Sequence, residues 1–298
     1  MAPEPSILVV GALHLDVVVD APHLPALDET VAGHAVAYRF GGKGGNQAVA
    51  AARMGARVAM AGRVGPDRFG EQILAALDAA GVERSRVLTV PGASGMSVAI
   101  VDAAGDYGAV IVSGVNRAID GAAVAFPGCL RTILLQSEVP EAVNLAIAAR
   151  AAPDVRLILN AAPARPVAAE LLARVDVLVV NRGEAATLSG TDDPQEVAAR
   201  LLASGPRAVI VTLGAGGLVC ATPDAPPLVL PAPRVDVIST HGAGDAFTGA
   251  LAAELTRGGG LTEALVFAQG AAALTVATHP DRRDAVTPGA VRAFLNAL

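Results

Sequence analysis

The chain is short of aromatic side chains and of cysteine: two Tyr, six Phe, no Trp and two Cys among 298 residues. Two cysteines supply neither a disulfide framework nor a metal site. The apolar neighbours of Cys129 and Cys220 point instead to buried free thiols, which suits a reducing cytoplasm. Charge is scarce as well, at 17% of residues, with a net charge of −6 and no long basic run, so nucleic acid is not expected as a partner. Apolar stretches are broken by Gly, Pro or charge before the ~20 residues that cross a bilayer. The opening MAPEPSILVVGALHLD lacks a basic start and reaches Asp16 too early for a signal peptide. We therefore expect a cytoplasmic protein without a membrane partner.

What is present is a large apolar fraction, 53%, mostly Ala, Val and Leu. That is enough for a sizeable core in one large α/β unit. Short β-branched runs, Ser6–Val10, Arg131–Leu135, Val155–Leu159, Val175–Val180 and Ala208–Thr212, are apolar on both faces, as buried parallel strands are. They alternate with helix-like stretches around Asn46–Met54, Phe69–Ala80, Glu141–Ala151, Gln195–Ala203, Asp245–Thr256, Leu261–Ala277 and Pro288–Ala297. This order predicts a three-layer sandwich built on a mostly parallel sheet. Two regions break the rhythm. Val17–Tyr38 and Ser97–Ser113 carry strand-like runs with no helix between, and Ala103-Ala104-Gly105-Asp106 signals a hairpin turn. They form either a small antiparallel sheet over the main one or surface decoration.

Four runs and one pair carry polar chemistry. In Ser239-Thr240-His241-Gly242-Ala243-Gly244-Asp245-Ala246-Phe247, a strand-like stretch, Arg234–Ile238, leads in and a helix of small residues leads out. Gly242 and Gly244 permit a sharp turn that presents bare N–H groups, and the start of a helix suits a phosphate. Asp245 at that point could take a proton from an attacking hydroxyl, or could simply cap the helix. In Phe40-Gly41-Gly42-Lys43-Gly44-Gly45-Asn46-Gln47, four glycines admit a polar ligand to which Lys43 and Asn46 can donate; the alternative is a flexible connection. Ala37 and Gly44 stand where a Walker A loop needs Gly and Ser or Thr.

Asn181-Arg182-Gly183-Glu184 follows an apolar strand, at the end where open α/β sheets bind ligands. Asn181 and Glu184 would share a helix face and could hold Mg²⁺ through waters, or be a cap followed by a surface Glu. Val211–Gly217 is either a nucleotide contact or a tight hairpin. His14 and Asp16, two apart on an extended strand, point the same way and could bind sugar hydroxyls; no third ligand for a metal is evident nearby.

Together these runs resemble the ribokinase-like (phosphofructokinase-B) family of carbohydrate and nucleoside kinases, in the right order over nearly the whole chain. FGGKGGNQAVAAARMGA looks like the family's N-terminal glycine signature and STHGAGDAFTGAL like its C-terminal one, with NRGE and VTLGAGG between. The resemblance implies an α/β fold: a three-layer α-β-α Rossmann-like sandwich with a small β-sheet lid. It implies a single domain over 1–298, its lid formed by segments near 14–40 and 95–113. It implies ATP and Mg²⁺, with Asp245 as the base and the amides of Gly242, Ala243 and Gly244 as an anion hole. Asn181 and Glu184 would govern Mg²⁺ and phosphate, and Thr212, Gly214 and Gly217 would lie beside ATP. His14, Asp16, Gly42, Lys43, Asn46 and Glu138 would meet the substrate hydroxyls. Members often dimerise through the lid, so a homodimer is expected.

The chain departs from the pattern at four places. His14 stands where ribokinases carry Asn, and His241 replaces a small or aliphatic residue. Ser239 stands where they carry an Asp that binds K⁺, and 279–284 lacks the glycine typical of the other half of that site. K⁺ is therefore not expected to be required. GGKGGNQ looks most like members that bind an unphosphorylated sugar such as ribose, at a primary hydroxyl. The alternative substrate is a nucleoside, including a C-nucleoside such as pseudouridine, but those kinases hold the base against aromatic rings, which are few here. A sugar phosphate would want an Arg or Lys cluster, and none stands near the substrate motifs. A non-catalytic sugar- or nucleotide-binding protein remains open. An NAD-dependent oxidoreductase is disfavoured because GAGDAF lacks the third glycine of the dinucleotide fingerprint.

Overall fold

The apolar runs become strands of a nine-stranded sheet, seen in a computed structural model that describes residues 4–102, 104 and 107–298. In chain order the strands are β1 (Ile7–Val10), β2 (His14–Asp20), β3 (Ala35–Gly41), β4 (Val58–Val64), β5 (Glu83–Thr89), β6 (Gly95–Val101) and β7 (Tyr107–Val112). They continue with β8 (Thr132–Gln136), β9 (Arg156–Asn160), β10 (Val177–Asn181), β11 (Ala208–Thr212), β12 (Leu218–Thr222) and β13 (Ala225–Leu230). The main sheet runs β13-β12-β11-β10-β9-β8-β1-β4-β5. From β11 to β5 every pairing is parallel; β12 and β13 are antiparallel additions at one edge.

Side chains alternate across a strand, so both faces of this sheet carry core. Ile7, Val9, Met60, Leu134, Ile158 and Ile210 face the helices Lys43–Arg53, Ala243–Thr256 and Leu261–Ala277. Leu8, Val10, Ile133, Leu135, Leu178 and Val209 face Glu141–Arg150, Arg182–Ser189 and Pro194–Ala203. Each fully buried Leu or Ile contributes about 1.5–3 kcal/mol, which is why the two-faced apolar pattern fixes three layers.

One close packing positions the chemistry. Gly249, on Ala243–Thr256, has no side chain; a methyl there would lie 2.6 Å from the Cβ of Ala50 and 2.8 Å from the carbonyl oxygen of Gln47. The helix Ala243–Thr256 therefore lies directly on Lys43–Arg53, which brings the start of the first against that of the second.

A separate four-stranded sheet has the order β3-β2-β6-β7. The two regions that break the β-α rhythm build it, with β2 antiparallel to β3, parallel to β6, and β6 antiparallel to β7. The expected turn at Ala103-Ala104-Gly105-Asp106 lies, except for Ala104, outside the described residues. On one face of this sheet Val36, Val98, Val110 and Val112 are exposed.

Two expectations need correcting. Arg234–Ile238 is not a strand: Pro231 and Pro233 interrupt the chain after β13, and the N–H groups of Ile238 and Ser239 donate to the Val276 carbonyl instead. Cys129 is exposed in a loop; only Cys220, on β12, is buried, and burial pushes its thiol up to about 11. Among the described residues no helix is long and apolar enough to cross a membrane.

Candidate active site

Glu138 follows β8, Asn160 ends β9, Asn181 ends β10 and Thr212 ends β11, so four polar residues gather at the carboxyl ends of adjacent parallel strands. The first strand adds the connection Gly11-Ala12-Leu13, against which the helix Lys43–Arg53 begins. A methyl on Gly44 would lie 2.7 Å from the carbonyl carbon of Gly11, so only glycine lets the helix start here. Gly42, its N-cap, has a φ of 82°, a conformation that costs little only for glycine. Lys43 N–H donates to Glu138 Oε2 at 2.7 Å. Burial pushes the Glu138 carboxyl up to about 7, against the pull of that bond and of the Lys43 charge.

Asp16 lies on β2 beside Gly41 and accepts from Ser97 Oγ at 2.6 Å. His14, on the same strand, is 3% exposed, and its Nε2 has no hydrogen-bond partner among the described residues. Burial lowers its pKa and keeps the ring neutral. Asn116 fixes the preceding turn, accepting from Leu13 N–H and donating to Leu13 O, both at 2.9 Å.

Asp245 is not a cap. The N-cap of Ala243–Thr256 is Gly242, at φ 76°, and Asp245 is the third residue of the helix. Its carboxylate is buried and accepts from Gln47 Nε2 at 2.9 Å and from Asn46 Nδ2 at 3.3 Å. Gln47 also donates to Asn160 Oδ1 at 2.9 Å, and Gln136 donates to Gln47 Oε1 at 2.9 Å. Burial raises the Asp245 pKa; the Lys43 charge and the two amide bonds oppose it. Of the backbone amides here, Ala243 N–H makes a long bond to Thr240 O at 3.3 Å.

Asn181 and Glu184 form a reciprocal cap: Glu184 N–H donates to Asn181 Oδ1 at 2.9 Å and Asn181 N–H to Glu184 Oε2 at 2.8 Å. The cap alternative is thus half right, since Glu184 is buried rather than on the surface, and burial raises its pKa. Gly214–Gly216 is the turn of the β11–β12 hairpin, with Gly217 at φ 90° completing it. Among the described residues, a side chain at Gly214 or Gly244 would meet nothing within 4 Å, so both border open space.

The structure therefore joins Asn46 to Asp245 and Lys43 to Glu138 directly, and Asp16 and Glu184 lie close enough for charge coupling to that group. Thr212, Gly214 and Gly217 stand at the neighbouring hairpin without a bond to it. Sequence reasoning missed Gln47, Gln136, Asn160 and Ser97. Gln47 and Gln136 sit within runs already singled out, and an amide next to a candidate acid was the available signal. A cavity of about 330 Å³ continues from Asn46 and Asp245 along the helix to Arg53.

A buried carboxylate at a glycine-rich helix start, beside polar residues at the ends of parallel strands, is an arrangement suited to moving a phosphoryl group onto a hydroxyl. The chain belongs to the pfkB family of carbohydrate kinases, whose family model matches residues 4–287. It is a sugar kinase. A ribokinase of Bacillus subtilis is 36% identical over 276 residues, covering 91% of this chain and 92% of the relative. A deoxyribokinase of Salmonella typhi is 34% identical over 272 residues, covering 87% and 88%. The solved structure of Arabidopsis thaliana ribokinase complexed with ribose and ATP superposes with a TM-score of 0.88 at 28% identity, covering 98% of each chain.

Proposed function

We propose that this kinase transfers the γ-phosphoryl of ATP to a primary hydroxyl of ribose or a similar small sugar, with Asp245 as general base. The observation that carries this reading is the Asp245 carboxylate, buried and held by Asn46 and Gln47 from the helix that opens the glycine-rich sugar motif. A carboxylate raised by burial is a stronger base toward an alcohol than an ordinary one. The sugar oxygen attacks the γ-phosphorus, its proton passes to Asp245, and the bond to the ADP oxygen breaks. Gly242, Ala243 and Gly244 lie at the positive end of their helix, where amides can meet the charge on the moving phosphoryl. The nucleotide would lie along Asn181, Thr212, Gly214 and Gly217, toward the open side of Gly244.

His14, Asp16, Gly42, Lys43, Asn46 and Glu138 would bind the sugar hydroxyls. The orphaned His14 Nε2 favours this, because a buried ring nitrogen without a partner is costly and a hydroxyl would satisfy it. Mg²⁺ fits the donors present: Glu184 spends one oxygen on the cap, and among the described residues no hydrogen bond reaches its other oxygen. Asn181 and Glu184 would hold it through waters, and it would neutralise phosphate charge when bound. K⁺ would not be required; Arg283 Nη2 already makes a long 3.4 Å contact to Ser239 O, so a fixed cation stands there.

We read the chain as one domain over 1–298, with the four-stranded sheet as a lid that excludes water. Its exposed valines, Val36, Val98, Val110 and Val112, support a homodimer through that sheet, and the cytoplasm as its compartment follows from its substrates. The test is ADP release by purified protein, screened over pentoses, hexoses and nucleosides. Ribose or a near relative should stimulate it most. Stimulation by nucleosides alone, or by none of these, would overturn the reading.

A further inference from the structure

Gln136 ends β8 and Asn160 ends β9, and the two are register partners in parallel strands. Leu134 and Ile158, two residues earlier on each strand, face the helices Lys43–Arg53 and Ala243–Thr256, so both amides point to that layer. Gln47 meets them from the first of these helices. Gln136 and Gln47 are fully buried, and Gln136 does not border the cavity beside Asp245.

A carboxamide has a direction, with an acceptor at one end and two donor hydrogens at the other. In Gln47 both ends are engaged. Its Nε2 donates to Asp245 Oδ1 and to Asn160 Oδ1, each at 2.9 Å, and its Oε1 accepts from Gln136 Nε2 at 2.9 Å. Asn160 is oriented from its far side, where its Nδ2 donates to Val179 O at 3.1 Å. Turned over, the Gln47 amide would set its oxygen against those of Asp245 and Asn160. Accepting at Oε1 also polarises the amide and makes its N–H groups better donors. Gln136 therefore acts on Asp245 at one remove.

This orientation has a cost. Gln136 Oε1 is buried with no hydrogen-bond partner among the described residues. It lies 1.9 Å from where a methyl on Gly11 would sit, so glycine makes room for it. A leucine would fill a similar space without that orphan, so packing alone does not account for a glutamine here.

Several charges act on the Asp245 carboxylate besides the amides. Burial raises its pKa, while Lys43 and His241 favour the charged form. Glu138 and Glu184 couple to it with the opposite sign. Arg39, Arg53 and Arg283 line the cavity beside it, which corrects the expectation that no cationic cluster lies near the substrate motifs. None of these groups bonds to Gln136, so a change there reaches Asp245 through Gln47.

We propose that Gln136 is a positioning residue for phosphoryl transfer: its donation to Gln47 Oε1 directs both Nε2 hydrogens of Gln47 to Asp245 and Asn160 and so fixes the Asp245 carboxylate. Its part in catalysis rests on the reading of Asp245 as the base; the direction of the Gln47 amide does not.

The test compares pH profiles of kcat and kcat/KM for ribose in wild type, Gln136→Met, Gln47→Leu and the double variant, with melting curves to verify folding. Gln136→Met keeps the length of the side chain and removes the donor. It should lower kcat about three- to tenfold and move the acid limb up by about 0.5–1 pH unit, with KM for ribose unchanged. The limb rises because a carboxylate that loses a donor holds its proton to higher pH. Gln136→Asn, one methylene too short to reach Gln47, should do the same and serves if the Met variant fails to fold. In the Gln47→Leu background, Gln136→Met should move the limb no further, because the link is already cut. An acid limb that stays in place in Gln136→Met, or that moves equally with and without Gln47, would overturn the proposal. Infrared titration of the carboxyl band that Asp245→Asn removes follows the same proton without turnover. A band that shifts while the acid limb stays would refute Asp245 as the base, and Gln136's part in catalysis with it, yet uphold the amide direction. No shift in either would refute the amide direction itself.

Discussion

Glu138 makes a measurable prediction about stability. Burial raises its carboxyl from 4.5 to about 7. In the unfolded chain it releases its proton near 4.5, whereas the folded protein holds the proton up to about 7. Between those values the folded state binds more protons, so stability falls as pH rises, and the full cost is present above about pH 7. At 1.36 kcal/mol for each pH unit, the cost is about 3 kcal/mol. For a chain of 298 residues that corresponds to about 5 °C in Tm. Glu138→Gln keeps an acceptor for Lys43 N–H and cannot ionise. Its Tm without ligand should lie close to that of wild type near about pH 5 and rise above it by about 5 °C near about pH 8.5. The same variant should bind sugar more weakly, because a neutral amide replaces a carboxylate facing hydroxyls. Differential scanning calorimetry over that pH range checks the stability claim. A Tm difference that does not change with pH would refute it and show that Glu138 is hydrated like a surface carboxylate.

Other outcomes follow from the same geometry. Gln47→Leu removes the 2.9 Å donor to Asp245. It should lower kcat about tenfold or more and shift the acid limb of the kcat/KM profile to higher pH, a displacement that loss of packing alone would not produce. Gly44→Ala would push the helix Lys43–Arg53 off the Gly11 connection; thermal melting should show a loss of about 1–3 kcal/mol, with a raised KM for sugar. Potassium chloride substituted for a tetramethylammonium salt should leave kcat unchanged, and a large stimulation would contradict the account of Ser239 and Arg283. Chelation of divalent cations should abolish ADP formation and magnesium should restore it.

Much of the fold was legible because its signals are local. Ala208–Thr212 and Leu261–Ala277 match the expected elements residue for residue, since an unbroken apolar run or a long alanine-rich run has one way to be buried. β4 and β5 were not anticipated. Val58–Val64 is diluted by Ala and Gly, and Glu83–Thr89 is an edge strand with one wet face, so neither reads as core. Arg234–Ile238 has strand composition, but Pro231 and Pro233 before it and the bonds of Ile238 and Ser239 to the Val276 carbonyl overrule it. The glycine loops around Lys43 and Asp245 were legible because glycine marks close approach wherever it occurs. The amide chain Gln136–Gln47–Asp245 and the Arg39–Arg53–Arg283 cavity were not, because each joins segments distant in sequence and exists only once the helices pack.

The central claim is that Asp245 accepts the sugar proton, and Asp245→Asn tests it most directly. Asparagine keeps the size of the side chain and can still pair with Asn46 and Gln47, so the fold should survive and sugar binding should persist. Ribose-dependent ADP formation at saturating substrates should fall by ~10²–10⁴, the usual worth of a positioned base. A folded Asp245→Asn protein that turns over at close to the wild-type rate would contradict the account.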